Sequence, residues 1–292
     1  MGSRYALQNM IEKVILFAKR VALSSVFILV GALPAFSQSP PSKAALNMAL
    51  LKAAGHNRST EVKALLAQGA DPNATVSDAN SIANGYTPIM LLAMHRDVDA
   101  AAIQALQKAG GDINAVNSVG NTALMNASTI GAASEVRVLL ARGAKVDIAD
   151  VDGDTALMTA AFSGWDDIVQ ILLDHGAKVN IQNSYRDTAL FLTANGGHGP
   201  SALMQKFYTK RVHVMQMLLS KGANVNLKGK NGATPLMLAS YYSNVEMVKA
   251  LLKQHADVTA RDAKGRTALQ IAIHRNQSQE VIQLLKGAGA KE

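Results

Sequence analysis

The stretch Thr155-Ala-Leu-Met-Thr-Ala-Ala-Phe-Ser-Gly-Trp-Asp-Asp-Ile-Val-Gln-Ile-Leu-Leu-Asp-His-Gly-Ala-Lys-Val-Asn180 decides the fold. It holds two apolar runs parted at Gly164 and closed at Gly176-Ala177. The second run sets Ile168, Val169, Ile171, Leu172 and Leu173 on the 3.6-residue spacing of one helical face. A glycine just past it supplies the left-handed cap that ends a helix. The same block recurs outward in both directions. Threonine heads it at Thr87, Thr122, Thr155, Thr188, Thr234 and Thr267, at spacings of 35, 33, 33, 46 and 33. A second marker, the residue pair starting at Gly69, Gly110, Gly143, Gly176, Gly222 and His255, repeats at 41, 33, 33, 46 and 33. Two independent markers in one register predict a helix-turn-helix unit repeated along the chain. Polar links such as Asp150-Val-Asp-Gly-Asp154 suit hairpin turns between units.

Composition fits a repeat array. The chain has 292 residues, 49% hydrophobic and 4% aromatic, with no cysteine. Those values exclude a disordered chain, a disulfide-stapled mini-protein and a thiolate metal site. Length alone suggests about two domains, but that rule assumes one core per domain and fails for repeats.

Thr-Pro/Ala-Leu-x-x-Ala followed by Leu-Leu-x-x-Gly-Ala-x-Val-Asn at this period resembles the ankyrin repeat. The resemblance implies an all-α repeat fold, a solenoid of about seven helix-turn-helix units joined by β-hairpin fingers. The units run at about 41–74, 75–116, 117–149, 150–182, 183–228, 229–261 and 262–292. The first lacks the threonine block, as an N-terminal cap does, and the last ends in a polar stop.

Three departures from the family pattern carry information. Where the family has a histidine after Thr-Pro-Leu, this chain has Met90, Met125, Met158, Phe191, Met237 and Gln270. Such a methionine column is expected to pack, and a soft-metal or oxidant-absorbing column is the alternative. The link between Asn73 and Thr87 holds six residues more than its counterparts and reads as a long finger. The fifth unit carries 13 extra residues within 195–208, where Phe207 and Tyr208 stand beside Leu203 and Met204 at spacings that allow a short amphipathic turn. An insertion of this length in a regular array is either a binding element or a tolerated loop.

The N-terminus reads as a targeting segment. Arg4, Lys13, Lys19 and Arg20 precede an uncharged apolar run from Val21 to Phe36, too short for the ~20 residues of a spanning helix. Pro34 and the small residues around Ala35-Phe36-Ser37 predict a signal peptide over 1–37, cleaved after Ser37. The expected location is periplasmic or secreted; an uncleaved membrane anchor is the alternative. Beyond that segment 25 basic residues face 20 acidic ones, unevenly: residues 38–182 are net −4 and 183–292 net +9. Such a gradient can steer a charged partner. Exported chains rarely meet nucleic acid, so the basic half is not read as a DNA-binding patch, and no membrane span is expected once the signal is removed.

Catalytic signatures are missing. The seven histidines show no His-Glu-x-x-His spacing, and Lys228-Gly-Lys230 lacks the rest of a phosphate-binding loop. The acids Asp147, Asp150, Asp152 and Asp154 lie along one finger as expected of turn residues. No catalytic residue, cofactor or metal site is therefore expected, and the chain is read as a non-enzyme and a monomer that binds another protein. Asn73-Ala-Thr75 and Asn126-Ala-Ser128 match the glycosylation acceptor pattern.

The family resemblance implies that partners meet the first-helix ends and finger tips on a concave rim. Carried onto this chain, those positions hold Ile130, Phe162, Tyr241, Tyr242, His274 and Arg275, with the single tryptophan, Trp165, on the same rim. Large rigid aromatics dominate interface energy, so Phe162, Trp165, Tyr241 and Tyr242 are the expected centre. Finger charges Asp152, Asp154, Arg186, Lys230 and Lys264, together with Phe207 and Tyr208 of the insertion, complete the set. An inhibitor or immunity-type protein is one expected subclass; a redox- or metal-handling protein built on the methionines is the alternative function.

Overall fold

The computed structural model describes residues 41–77, 84–195, 202–275 and 278–291. The signal-like segment and its cleavage point lie outside them. Among the described residues the chain is helical, in fourteen helices that pair in chain order. It divides into two compact units, Met1–Ala144 and Lys145–Glu292.

In the first unit the pairs are α1 (Lys43–Gly55) with α2 (Ser59–Ala67), α3 (Pro88–Leu92) with α4 (Ala100–Lys108), and α5 (Ala123–Ile130) with α6 (Ala133–Ala141). The second unit has α7 (Ala156–Ser163) with α8 (Asp166–Asp174), α9 (Ala189–Ala194) with α10 (Ala202–Ser220), α11 (Pro235–Tyr241) with α12 (Val245–Lys253), and α13 (Ala268–His274) with α14 (Gln279–Gly287). Within the second unit the first helices α7, α9, α11 and α13 pack in sequence, and so do the second helices α8, α10, α12 and α14. The core lies between these layers: Leu157, Ile168, Leu172, Leu218, Leu236, Val248, Leu251 and Leu269 are buried to 0–1% exposure. Each such side chain contributes about 1.5–3 kcal/mol by leaving water.

Each repeating threonine starts a helix by capping it. Thr87, Thr122, Thr155, Thr188, Thr234 and Thr267 accept through Oγ1 from the N–H three residues on, at 3.1–3.4 Å. That satisfies one of the donors a helix N-terminus leaves open. The methionine column sits at the third helical position of these caps. Met125 and Met237 close the box, accepting at the sulfur from the Thr122 and Thr234 N–H at 3.5 and 3.4 Å, as Gln270 does by its amide oxygen at 3.0 Å. At the other end of the units His255 takes the place of the recurring glycine and adopts the same left-handed backbone, φ 58° against 81° at Gly176.

The expected β-hairpin fingers prove to be tighter than strands. No strand occurs among the described residues; an isolated bridge joins Ala149 and Thr155. Four fingers are Asx turns: the Asp150 carboxylate accepts from the Asp152 and Asp154 N–H groups, and Asn117, Asn183 and Asp262 do the same in their fingers, while the finger at 229–233 closes through the Gly229 N–H to the Ala233 carbonyl. With the turn using both ends of a five-residue link, no residues remain to extend a ladder. Neighbouring fingers are tied by backbone bonds, Ser184 N–H to Asp152, Lys230 N–H to Tyr185 and Ala263 N–H to Asn231, at 2.7–2.8 Å.

The insertion in the fifth unit also differs from a loop. From Ala202 it is the opening of α10, which runs 19 residues where its counterpart α8 has 9. After Pro200 the sequence up to Ser220 has neither glycine nor proline, so nothing stops the helix from starting early.

Candidate interaction surface

The ends of the first helices are where this fold leaves backbone carbonyls open, and side chains from neighbouring repeats fill them. In the first unit Arg96 donates to the Ile130 carbonyl through Nε and Nη2 at 3.2 and 2.6 Å, and a His95 ring nitrogen meets the Gly55 carbonyl at 3.0 Å. Burial holds the His95 pKa below its usual value. In the second unit Arg211, on the early part of α10, donates to the carbonyls of Phe162, in the last turn of α7, and Asn195, the C-cap of α9. A cation at a helix C-terminus also meets the negative end of the helix dipole. Burial lowers the Arg211 pKa.

Arg211 and two further cations of the second unit cover the aromatic residues. The Arg211 guanidinium lies 5.1 Å from the Phe162 ring centre, the Lys210 ammonium 5.7 Å from that of Trp165, and the Arg275 guanidinium 4.1 Å from that of Tyr241. Contacts of this kind contribute about 0.5–1 kcal/mol at exposed sites. Tyr241 and Tyr242 stack edge to face at 4.9 Å, and the Tyr242 hydroxyl donates to Asn195 Oδ1 at 3.4 Å. Phe162, Trp165, Tyr241 and Tyr242 are each half-buried, while His274 and Arg275 are exposed beside Ile273. Lys210 and His213 both reach the Asp166 carboxylate, at 3.2 and 3.3 Å. Burial pushes that carboxyl up, but the His213 and Lys210 contacts outweigh it and hold the pKa low.

The expected finger charges separate into two kinds. Asp152, Arg186, Lys230 and Lys264 are exposed. Asp154 is not: it is buried and accepts from the Asn183 side chain at 2.7 Å. Desolvation, helped by the charges of Asp150 and Asp152, raises it to about 6. Asp187, one finger on, is raised to about 7 by desolvation and by Asp154. These carboxyls occupy the position just before the capping threonine, which the fold turns inward, so Asp154 is a structural acid at the finger base. Ile130 belongs to the first unit, where its carbonyl takes Arg96. Phe207 and Tyr208 fall on the helical backbone of α10, with side chains outside the described set.

The sequence pattern singles out none of Arg96, Asn183, Lys210 and Arg211 as a site residue. Nothing in spacing marks a side chain that caps a neighbouring repeat. Both glycosylation-pattern asparagines have structural work: Asn126 is buried with its amide donating to the Met90 carbonyl at 3.4 Å, and Asn73 donates to Gly110 at 2.9 Å. Among the described residues no group of three or more histidine or acidic side chains is placed to hold a metal, and no helix is long and apolar enough to cross a membrane. Met90, Met125, Met158 and Met237 are buried at 1–3% exposure, out of reach of a solvent ion.

A family model described as ankyrin repeats in three copies matches residues 50–150, 95–183, 131–228 and 203–291. Among solved structures, the crystal structure of the human ASB11 ankyrin repeat domain is similar to this chain at 26% identity and a TM-score of 0.65, covering 83% of this chain and 98% of that one. None of the curated proteins matches.

Proposed function

Since the chain belongs to the ankyrin-repeat family, we propose that it is an exported module that holds a partner protein on the aromatic rim of its second unit. Ankyrin repeats are generally protein-protein interaction modules, and their fold is typically a non-catalytic scaffold. The observation that carries the finer reading is the row of half-exposed aromatics, Phe162, Trp165, Tyr241 and Tyr242, each fixed in place by a contact from another repeat. Rigid aromatic area lowers the entropy cost of binding, and the guanidinium groups of Arg211 and Arg275 beside Phe162 and Tyr241 add directional donors. Export rests on the signal-like segment 1–37, and an inhibitor or immunity role would follow from a partner enzyme in the same compartment.

Two measurements test this. The intact mass of the native protein in cell fractions is expected to correspond to Gln38–Glu292; a full-length mass in the cytosol removes export from the reading. Affinity capture with the wild type should return a partner that the variant Phe162→Ala/Trp165→Ala/Tyr241→Ala/Tyr242→Ala, shown by circular dichroism to be folded, does not. Capture by the variant equal to that by the wild type contradicts the rim as the binding site.

A further inference from the structure

The geometry points to an acidic polypeptide segment as the ligand of the last three fingers, a deepening that rests on the protein-binding reading above. Residues 183–292 hold 15 basic and 6 acidic side chains. The described acids are all engaged. Glu246 and Glu280 flank Lys249 at 3.1 and 3.0 Å, Asp262 holds Arg266 at 2.7 Å, Asp257 accepts from Thr259 at 2.7 Å, and Asp187 is buried at the base of its finger. Five cations stand on the fingers: among the described residues Arg186, Lys230, Arg261 and Lys264 have no carboxylate partner, and Lys228 meets only the charge of Asp257. Lys228 and Arg261 donate to the carbonyls of Arg261 and Gly265 at 3.1 and 2.6 Å, and Lys230 lies 5.8 Å from the Tyr185 ring centre. Arg186 and Lys264 are exposed.

These five are held on one ledge. The Gln182 amide donates to the carbonyls of both Arg186 and Lys228, at 2.6 and 3.2 Å, and the fingers are joined by the bonds Lys230 N–H to Tyr185 and Ala263 N–H to Asn231. The fold thus gathers like charges that repel one another and fixes their backbones in register. Such a cluster costs stability in the free protein and recovers it when carboxylates arrive, with contact speeded at low salt. An acidic polypeptide is favoured over nucleic acid or a lipid surface because the ledge belongs to a repeat family whose members are generally protein-binding modules.

The test uses a short fluorescein-labelled polyglutamate peptide, with a polyglutamine peptide, duplex DNA of random sequence and phosphatidylglycerol vesicles as competing probes, on the full mature chain. Polyglutamate is expected to bind with an affinity that falls with salt. Lys228→Gln/Lys230→Gln/Lys264→Gln should weaken it about tenfold. Lys221→Gln/Lys253→Gln/Lys286→Gln, which removes equal charge elsewhere in the unit, should leave it within about twofold. Equal losses in the two variants, no binding of polyglutamate, or tighter binding of DNA or vesicles would each overturn the proposal. The two levels fail separately: if partner capture needs the rim aromatics but survives the ledge substitutions, the acidic-segment reading falls and the rim stands.

Discussion

The fingers at 150–154 and 262–266 share one backbone and carry opposite electrostatics. In both, an Asp at the first position accepts from the N–H groups two and four residues on, and a glycine at the fourth position is left-handed, φ 81° at Gly153 and 75° at Gly265. In the first finger the fifth residue is Asp154, buried and pushed up to about 6. In the last it is Arg266, whose guanidinium reaches the Asp262 carboxylate through Nε and Nη2 at 3.0 and 2.7 Å. Burial raises the Asp262 carboxyl, but the Arg266 bonds outweigh it and its pKa is lowered. The turn is therefore written by the Asx residue and the glycine, while the fifth residue sets charge and its pH response.

Replacing the two glycines separates finger packing from finger conformation and should give the largest effect. A Cβ on Gly153 would meet Asn183 Cα at 3.0 Å and Ser184 N at 3.2 Å, whereas one on Gly265 meets nothing within 4 Å. Gly265→Ala should lower stability by about 1–2 kcal/mol, the left-handed penalty alone. Gly153→Ala should lose about 1 kcal/mol more, because the next finger must shift. Equal losses in chemical denaturation would show that the fingers are not in contact.

The carboxyls give the next effect, with opposite signs. Asp154 and Asp187 titrate higher in the folded chain than unfolded, so folding takes up protons. Their contribution to stability is fullest below about pH 4 and is lost as pH rises through about 6 to 7. Asp154→Asn keeps an acceptor for Asn183 and removes the buried charge, so it should raise stability by about 2 kcal/mol near pH 8 and by little near pH 4. A variant no more stable than wild type near pH 8 in parallel urea titrations would contradict the burial of a charge there.

Asp262→Asn should do the reverse on a smaller scale. Its lowered pKa means that its stabilisation is present at neutral pH and lost as pH falls below the unfolded carboxylate value of about 3.9. Arg266 is partly exposed, so the loss near neutral pH should be under about 1 kcal/mol and should shrink in salt. A loss that salt does not touch would point to the turn bonds in place of the ion pair.

The threonine and glycine markers made the helix pairs legible, because a capping hydroxyl and a left-handed turn each need a particular residue at a particular place. Six threonines read from spacing alone are six N-caps. The aromatic positions were legible through the family pattern, which puts Phe162, Tyr241 and Tyr242 at helix ends. What covers them was not. Arg211 reaches Phe162 and Asn195 because α10 begins early, and a helix that begins early inside an insertion has no period to announce it. Asp154 and Asp152 look alike in sequence, and only the inward turn of the finger base separates a buried acid from an exposed one. Arg186, Lys230 and Lys264 could be counted as basic, but their lack of carboxylate partners emerges only once each acid has been followed to its contact.

The central claim, that the rim of the second unit holds a partner protein, is tested most directly by photo-crosslinking in the producing cell. A benzophenone amino acid at Tyr242 is compared with the same group at Lys253, an exposed position on the second helix of that repeat. A discrete adduct from position 242, absent from position 253 and lost in the Tyr241→Ala background, is the expected result. Adducts of equal yield from both positions, or from position 253 alone, would place any partner elsewhere and contradict the rim.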